Sequence, residues 1–110
     1  MISVLLAAAS SELAAAAEYY ESRQSGLGGE FIAAFNDAVQ LLLTHSRAGQ
    51  LLPESDHELR EFPLARFPFQ LIYLLRRDEL VIVAIAHNRR RPFYWNNRVQ
   101  EASAMYRLAA

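Results

Sequence analysis

A chain of 110 residues that is 53 % apolar fits one compact domain with its own core and leaves no room for two. It has no cysteine, which excludes disulfides and thiolate metal sites and agrees with a reducing compartment. The formal net charge of −1 points to no polyanion partner, but the charge is unevenly spread. Residues 1–59 hold two arginines against eight carboxylates, net −6, and residues 60–110 hold nine arginines against four carboxylates, net +5. Such polarity steers charged partners. Every basic residue is arginine; lysine is absent.

The apolar run Ile2 to Ala9 has no basic residue before it, as a secretory signal would, and is far shorter than the roughly 20 residues that span a bilayer. It reads as a strand, Ile2 to Leu6, followed by a helix start, and the expected location is the cytoplasm. Ser10 or Ser11 can cap a helix running to about Ser25, with Glu12 favourably placed in its first turn. Leu13, Ala17 and Tyr20 give that helix one apolar stripe, and Ala14 to Ala17 lets another backbone approach closely. Gly26, Gly28 and Gly29 mark a short turn into a second helix, roughly Glu30 to Thr44, with Phe31, Phe35, Ala38, Val39 and Leu42 at three- and four-residue spacing. Two amphipathic helices so joined fold back as an antiparallel hairpin.

Gly49 and Pro53 mark a loop from Arg47 to Pro53, and Glu58 to Phe62 reads as a short strand. Phe69 to Arg76 and Leu80 to Asn88 are apolar runs around the polar turn Arg77-Asp78-Glu79, which predicts a β-hairpin. Both are apolar at nearly every position, so each strand is expected to be covered on both faces, with the helix hairpin on one of them. The predicted fold is α+β in the order β-α-α-β-β-β: an N-terminal strand and a helix hairpin on a small, mainly antiparallel sheet. One domain spans 1–110, with its core at about 2–98 and a tail at 99–110.

The distinctive segment follows the last strand: His87-Asn88-Arg89-Arg90-Arg91-Pro92-Phe93-Tyr94-Trp95-Asn96-Asn97-Arg98. Guanidinium groups interleaved with aromatic faces suit a protein hot spot or single-stranded nucleic acid. Large aromatics usually bury, so Phe93 and Trp95 are expected to fold back over the open face of the sheet. The arginines are then either a working surface or a solvated rim. His87, ending a buried strand, either fixes neighbouring groups or takes part in chemistry. His45 and His57 have no partner at ligand spacing, Glu58 and Glu61 would face opposite sides of a strand, and no metal or cofactor is expected.

This segment resembles the C-terminal signature of ParE-type toxins: a strand ending in a small-apolar-His run, then Arg-Arg-x-Pro, Tyr-Trp and a later Arg. Arg66-Phe67-Pro68-Phe69-Gln70-Leu71-Ile72-Tyr73 is similar to that family's Phe-Pro-aromatic strand opening. Gly26-Leu27-Gly28 with Phe31 and Phe35 is similar to the start of its second helix, and Ala15 to Glu21 to its first. The resemblance covers about residues 2–98 and implies the RelE/ParE fold. It also implies a toxin of a type II toxin–antitoxin, or plasmid stabilisation, system that is neutralised by a cognate antitoxin. ParE-type members are associated with inhibition of DNA gyrase, whereas RelE-type members cleave mRNA on the ribosome.

For the first activity, the expected target-binding residues are Arg89, Arg90, Arg91, Tyr94, Trp95 and Arg98. For the second, a metal-independent endoribonuclease, the chemistry would fall to His87, Tyr94, Arg60 and Arg89. Guanidinium does not titrate, however, and Asn88 rather than tyrosine follows His87. A third possibility is a protein-interaction module that has lost its toxicity. The antitoxin is expected to be ParD-like, with a ribbon–helix–helix DNA-binding part. Its remaining segment would fold on Leu13, Ala17, Tyr20, Phe31 and Phe35, or extend the sheet edge, to give a hetero-oligomer.

Overall fold

The structure, a computed structural model, describes residues 1–53 and 58–99. Strand β1 (Ile2–Leu5) leads into helices α1 (Ala7–Arg23) and α2 (Leu27–Thr44), followed by β2 (Gln50–Leu51), β3 (Arg60–Pro63), β4 (Phe69–Arg76) and β5 (Glu79–His87). The five strands form one sheet in the order β1-β5-β4-β3-β2, with β1 parallel to β5 and every other pairing antiparallel. The expected α+β order is present. Strand β2 is an addition, formed where the sequence reads as loop.

Both helices begin earlier than their capping signals suggest. The β1 pairing carries the chain to Leu6, whose N–H donates to Ile82 O (3.2 Å), and α1 begins at the next residue with no side-chain cap. Glu12 therefore lies beyond the first turn, three residues after Ala9 and four before Ala16, both of which face the core. Helix α2 starts at Leu27 because its first donors find an acceptor on α1. The Glu21 carboxylate accepts from Gly26 N (3.0 Å) and Gly28 N (3.0 Å), and an acidic group there also suits the positive end of the helix. Gly28 is required for space: a Cβ on it would lie 2.5 Å from Ala17 O on the facing helix.

The sheet is buried on both faces, as the continuous apolar runs imply. Leu71, Tyr73, Leu80, Ile82 and Ile85 pack with Phe31, Phe35, Val39 and Leu42 under the helices. Leu59, Ile72, Leu74, Val81, Val83 and Ala84 pack on the other side against Trp95 and Val99. Alternation breaks once on β5, where Val83 and Ala84 both belong to this outer cluster. Tyr73 pairs with Ile82 and Ile72 with Ala84, so Val83 has no partner on β4 and forms a bulge that resets the phase for Ile85 to His87. The β4–β5 turn is two residues, Arg77 and Asp78, with Arg77 in the left-handed region at φ 54°.

Two of the expected antitoxin contacts are core residues. Phe31 is 0 % exposed and Phe35 7 %, so neither presents a surface to a partner in this conformation. Leu13, Ala17 and Tyr20 stay partly exposed. Residues 100–110 of the predicted tail and His57 lie outside the described residues.

Candidate functional site

Strand β5 ends where main-chain bonds turn the chain off the sheet. Asn88 N donates to Pro68 O (2.9 Å), Arg90 N to His87 O (2.9 Å) and Arg89 N to His87 Nδ1 (3.0 Å). Arg89, Arg90 and Arg91 lie in this turn, all exposed, and among the described residues none of them pairs with a carboxylate. The chain then crosses the outer face of the sheet, passing Phe93 in the left-handed region at φ 62°. Trp95 (6 % exposed) and Val99 (1 %) are buried against that face. Trp95 is thus a cover for the sheet in the isolated chain, as its size predicts. Its Nε1–H has no acceptor among the described residues, and burial of the ring must outweigh that loss of about 1–3 kcal/mol.

A polar cluster fastens this crossing segment to α1. Strand β1 pairs with β5 only as far as Ile82, and beyond that point no strand covers this edge of β5 among the described residues. Side chains satisfy the main chain there instead: Ile85 N donates to Glu12 Oε1 (3.0 Å), and Arg98 Nη1 donates to Val83 O (3.2 Å) at the bulge. Arg98 also forms a two-pronged pair with Glu12, Nη1 to Oε1 at 2.7 Å and Nη2 to Oε2 at 3.1 Å, with both side chains mostly buried. Tyr94 Oη completes the cluster by donating to Glu12 Oε2 (2.5 Å). The Tyr94 ring lies 4.2 Å from the Arg90 guanidinium carbon and 5.1 Å from that of Arg98.

Burial, reinforced by the hydrogen bond to Glu12 and its charge, raises the Tyr94 phenol to about 12 against the lowering pull of Arg98 and Arg90. The Arg98 guanidinium is held above its ordinary value chiefly by its hydrogen bond to Glu12, with burial opposing. A phenol whose folded-state value exceeds its unfolded value of 10.0 stabilises the fold fully below pH 10 and loses that contribution as pH approaches 12. Urea midpoints of the wild type and Tyr94→Phe are therefore expected to differ by a constant amount up to about pH 10 and to converge toward pH 12. Tyr20 and Tyr73, also raised by burial, contribute to both curves and cancel in the difference. A difference that stays flat across that window contradicts the Tyr94–Glu12 bond.

The expected target-binding residues divide into two groups. Arg90 lies over the Tyr94 ring with Arg89 and Arg91 exposed as its chain neighbours, whereas Arg98 is committed to Glu12 and Val83. Arg60 of the nuclease set stands apart from His87. Arg60 pairs with Tyr73 and His87 with Phe69, so the two are separated by roughly 13 Å along the strands, with β4 between them. Arg60 instead donates to Gly49 O (2.9 Å) beside the Tyr73 hydroxyl, which accepts from Gly49 N. Tyr94, bonded to a carboxylate and raised to about 12, is a poor proton donor. Glu12 is the site residue that the sequence reading missed, being taken for a helix-terminal charge. Its signal was available: it is a carboxylate on the same helix face as Ala9, Leu13, Ala16 and Tyr20. Among the described residues, no group of His, Asp and Glu is placed to hold a metal ion, and no helix is long and apolar enough to cross a membrane.

The architecture is a helix pair on a mixed sheet whose last strand runs into an arginine-rich edge. A chain of the chromosomal ParDE TA system from P. aeruginosa has the same fold, with a TM-score of 0.57 and 19 % identity over 78 % of this chain and 92 % of that one. The family described as ParE toxin of type II toxin-antitoxin system, parDE, matches residues 4–92, and the chain belongs to that family. No curated protein matches it. Membership in a toxin–antitoxin family implies an antitoxin as partner.

Proposed function

We propose that this ParE-family toxin acts by binding, inhibiting DNA gyrase in the cytoplasm through the edge formed by Arg89, Arg90, Arg91 and Tyr94. The observation that carries this reading is the state of the arginines. Three successive guanidinium groups stand exposed without carboxylate partners among the described residues, one of them stacked on an anchored tyrosine, while Arg60 of the nuclease set stands apart from His87 and Tyr94 is bonded to Glu12. Stacked, ordered arginine is a typical hot-spot residue. A ParD-like, ribbon–helix–helix antitoxin would hold the toxin inactive as a hetero-oligomer. Its acidic groups would mask the arginines while apolar side chains grip Leu13, Ala17 and Tyr20.

The purified toxin is expected to block supercoiling by gyrase and to leave ribosome-bound mRNA uncut, and His87→Ala is expected to inhibit as well as the wild type. Cleavage of ribosome-bound message that disappears in His87→Ala would replace this reading with the nuclease.

A further inference from the structure

We propose that Glu12, on α1 and remote in sequence from the arginines, is the positioning residue that fixes the Arg90 guanidinium for target binding. The proposal rests on the reading that the Arg89–Arg91 edge engages the target. Its basis is the short path from a helix to one exposed side chain. Glu12 sits on the inward face of α1 and is itself held by Ile85 N–H and by both terminal nitrogens of Arg98. Its Oε2 takes the Tyr94 hydroxyl at 2.5 Å, and Arg90 rests 4.2 Å from the centre of that ring. Two non-covalent contacts therefore connect the helix to the exposed guanidinium.

Arg89 and Arg91 have no such support among the described residues. An exposed arginine loses rotamer freedom when a partner captures it, whereas one already resting on a fixed ring has lost part of that freedom beforehand. The Tyr94 ring meets Trp95 edge-on at 5.3 Å and the Arg98 guanidinium at 5.1 Å, and its hydroxyl is the point at which it is tied to α1. The hydroxyl bond to Glu12 adds to those ring contacts a direct link to the helix. The carboxylate thus has two duties: it satisfies main chain on the part of the β5 edge that β1 leaves open, and it supports the ring under Arg90, the member of the exposed Arg89–Arg91 turn that has an aromatic platform among the described residues.

The test combines a spectroscopic signature with a double-mutant cycle on the full chain. In the wild type, the Arg90 side-chain protons should show an upfield ring-current shift by NMR, and this shift should shrink in Glu12→Gln, which keeps a hydrogen-bonding group at the position. In growth-arrest titrations, Arg90→Ala should reduce potency and Glu12→Gln should reduce it by roughly 3- to 10-fold, the equivalent of ordering one long side chain. The double variant should be no weaker than Arg90→Ala alone. Tyr94→Phe, which removes only the hydroxyl contact, should behave as Glu12→Gln does and stands in for it should that variant fold poorly. If Arg90→Ala retains full potency, the arginine-edge reading fails and the proposal falls with it. If Arg90→Ala is weak but the Glu12 and Tyr94 variants are not, or if their penalties add to that of Arg90→Ala, the edge reading survives and the positioning role is overturned.

Discussion

Replacing Arg89, Arg90 and Arg91 together by alanine is expected to lower toxicity by roughly 100- to 1000-fold without changing folding, since two hot-spot arginines at about 2 kcal/mol each span that range. The expectation of intact folding is as important as the loss of toxicity. All three side chains are exposed, and none pairs with a carboxylate among the described residues. Surface replacements of this kind usually shift stability by less than about 0.5 kcal/mol. Growth arrest on induction without the antitoxin, read beside circular dichroism and a urea melt, separates the two effects. A triple variant that folds and still arrests growth at wild-type induction levels removes the working edge. Raising the salt concentration should also weaken wild-type target binding, because exposed charges are screened within about 8 Å at physiological ionic strength.

The second large effect lies in the core. Phe31→Ala is expected to destabilise the domain by about 3–5 kcal/mol, the usual range for deleting a buried phenylalanine ring. Phe31 is 0 % exposed and sits at the centre of an aromatic group, with ring centroids 5.4 Å from Tyr20, 5.1 Å from Phe67 and 5.0 Å from Phe69. Those partners come from α1, from the linker before β4 and from β4 itself, so they cannot close over the hole together. Small domains retain only about 5–15 kcal/mol in total, so the variant should melt far below the wild type. A urea midpoint within error of the wild type would show that the ring is not where the fold is anchored.

Phe31 also shows what a sequence pattern reports and what it leaves open. Its spacing with Phe35 and Val39 marks an apolar helix face, and that face is present. Periodicity reports that a face is buried, but it does not say whether a partner protein or the chain's own sheet covers it. Here the sheet does. The apolar runs of β4 and β5 demanded a cover on their second face, and Trp95 and Val99 supply it. That cover was legible because large rings next to an apolar strand have few other places to go.

Other features left no local trace. Strand β1 pairs with residues more than seventy positions away, and β2 is two residues long, too short for any alternation to register. The Val83 bulge appears in the sequence only as one more apolar residue in a row of them. Glu12 is the instructive case. A carboxylate near a helix start has a ready local explanation, and the surroundings that give it another role come from β5 and from Tyr94 and Arg98, all far away in sequence.

The amino-acid order by itself determined the two helices, the central hairpin, the need to bury that hairpin twice and the presence of an arginine-rich segment after it. These follow from side-chain period and turn chemistry, which act over a few neighbouring residues. The tertiary structure decided which arginines remain exposed and which one is consumed, because that depends on where a carboxylate from another element arrives. Arg98 meets Glu12 and is spent inside the fold, while Arg89, Arg90 and Arg91 meet none among the described residues. Guanidinium groups of the same chemistry were divided between holding the fold and facing a partner by the docking of α1 against β5.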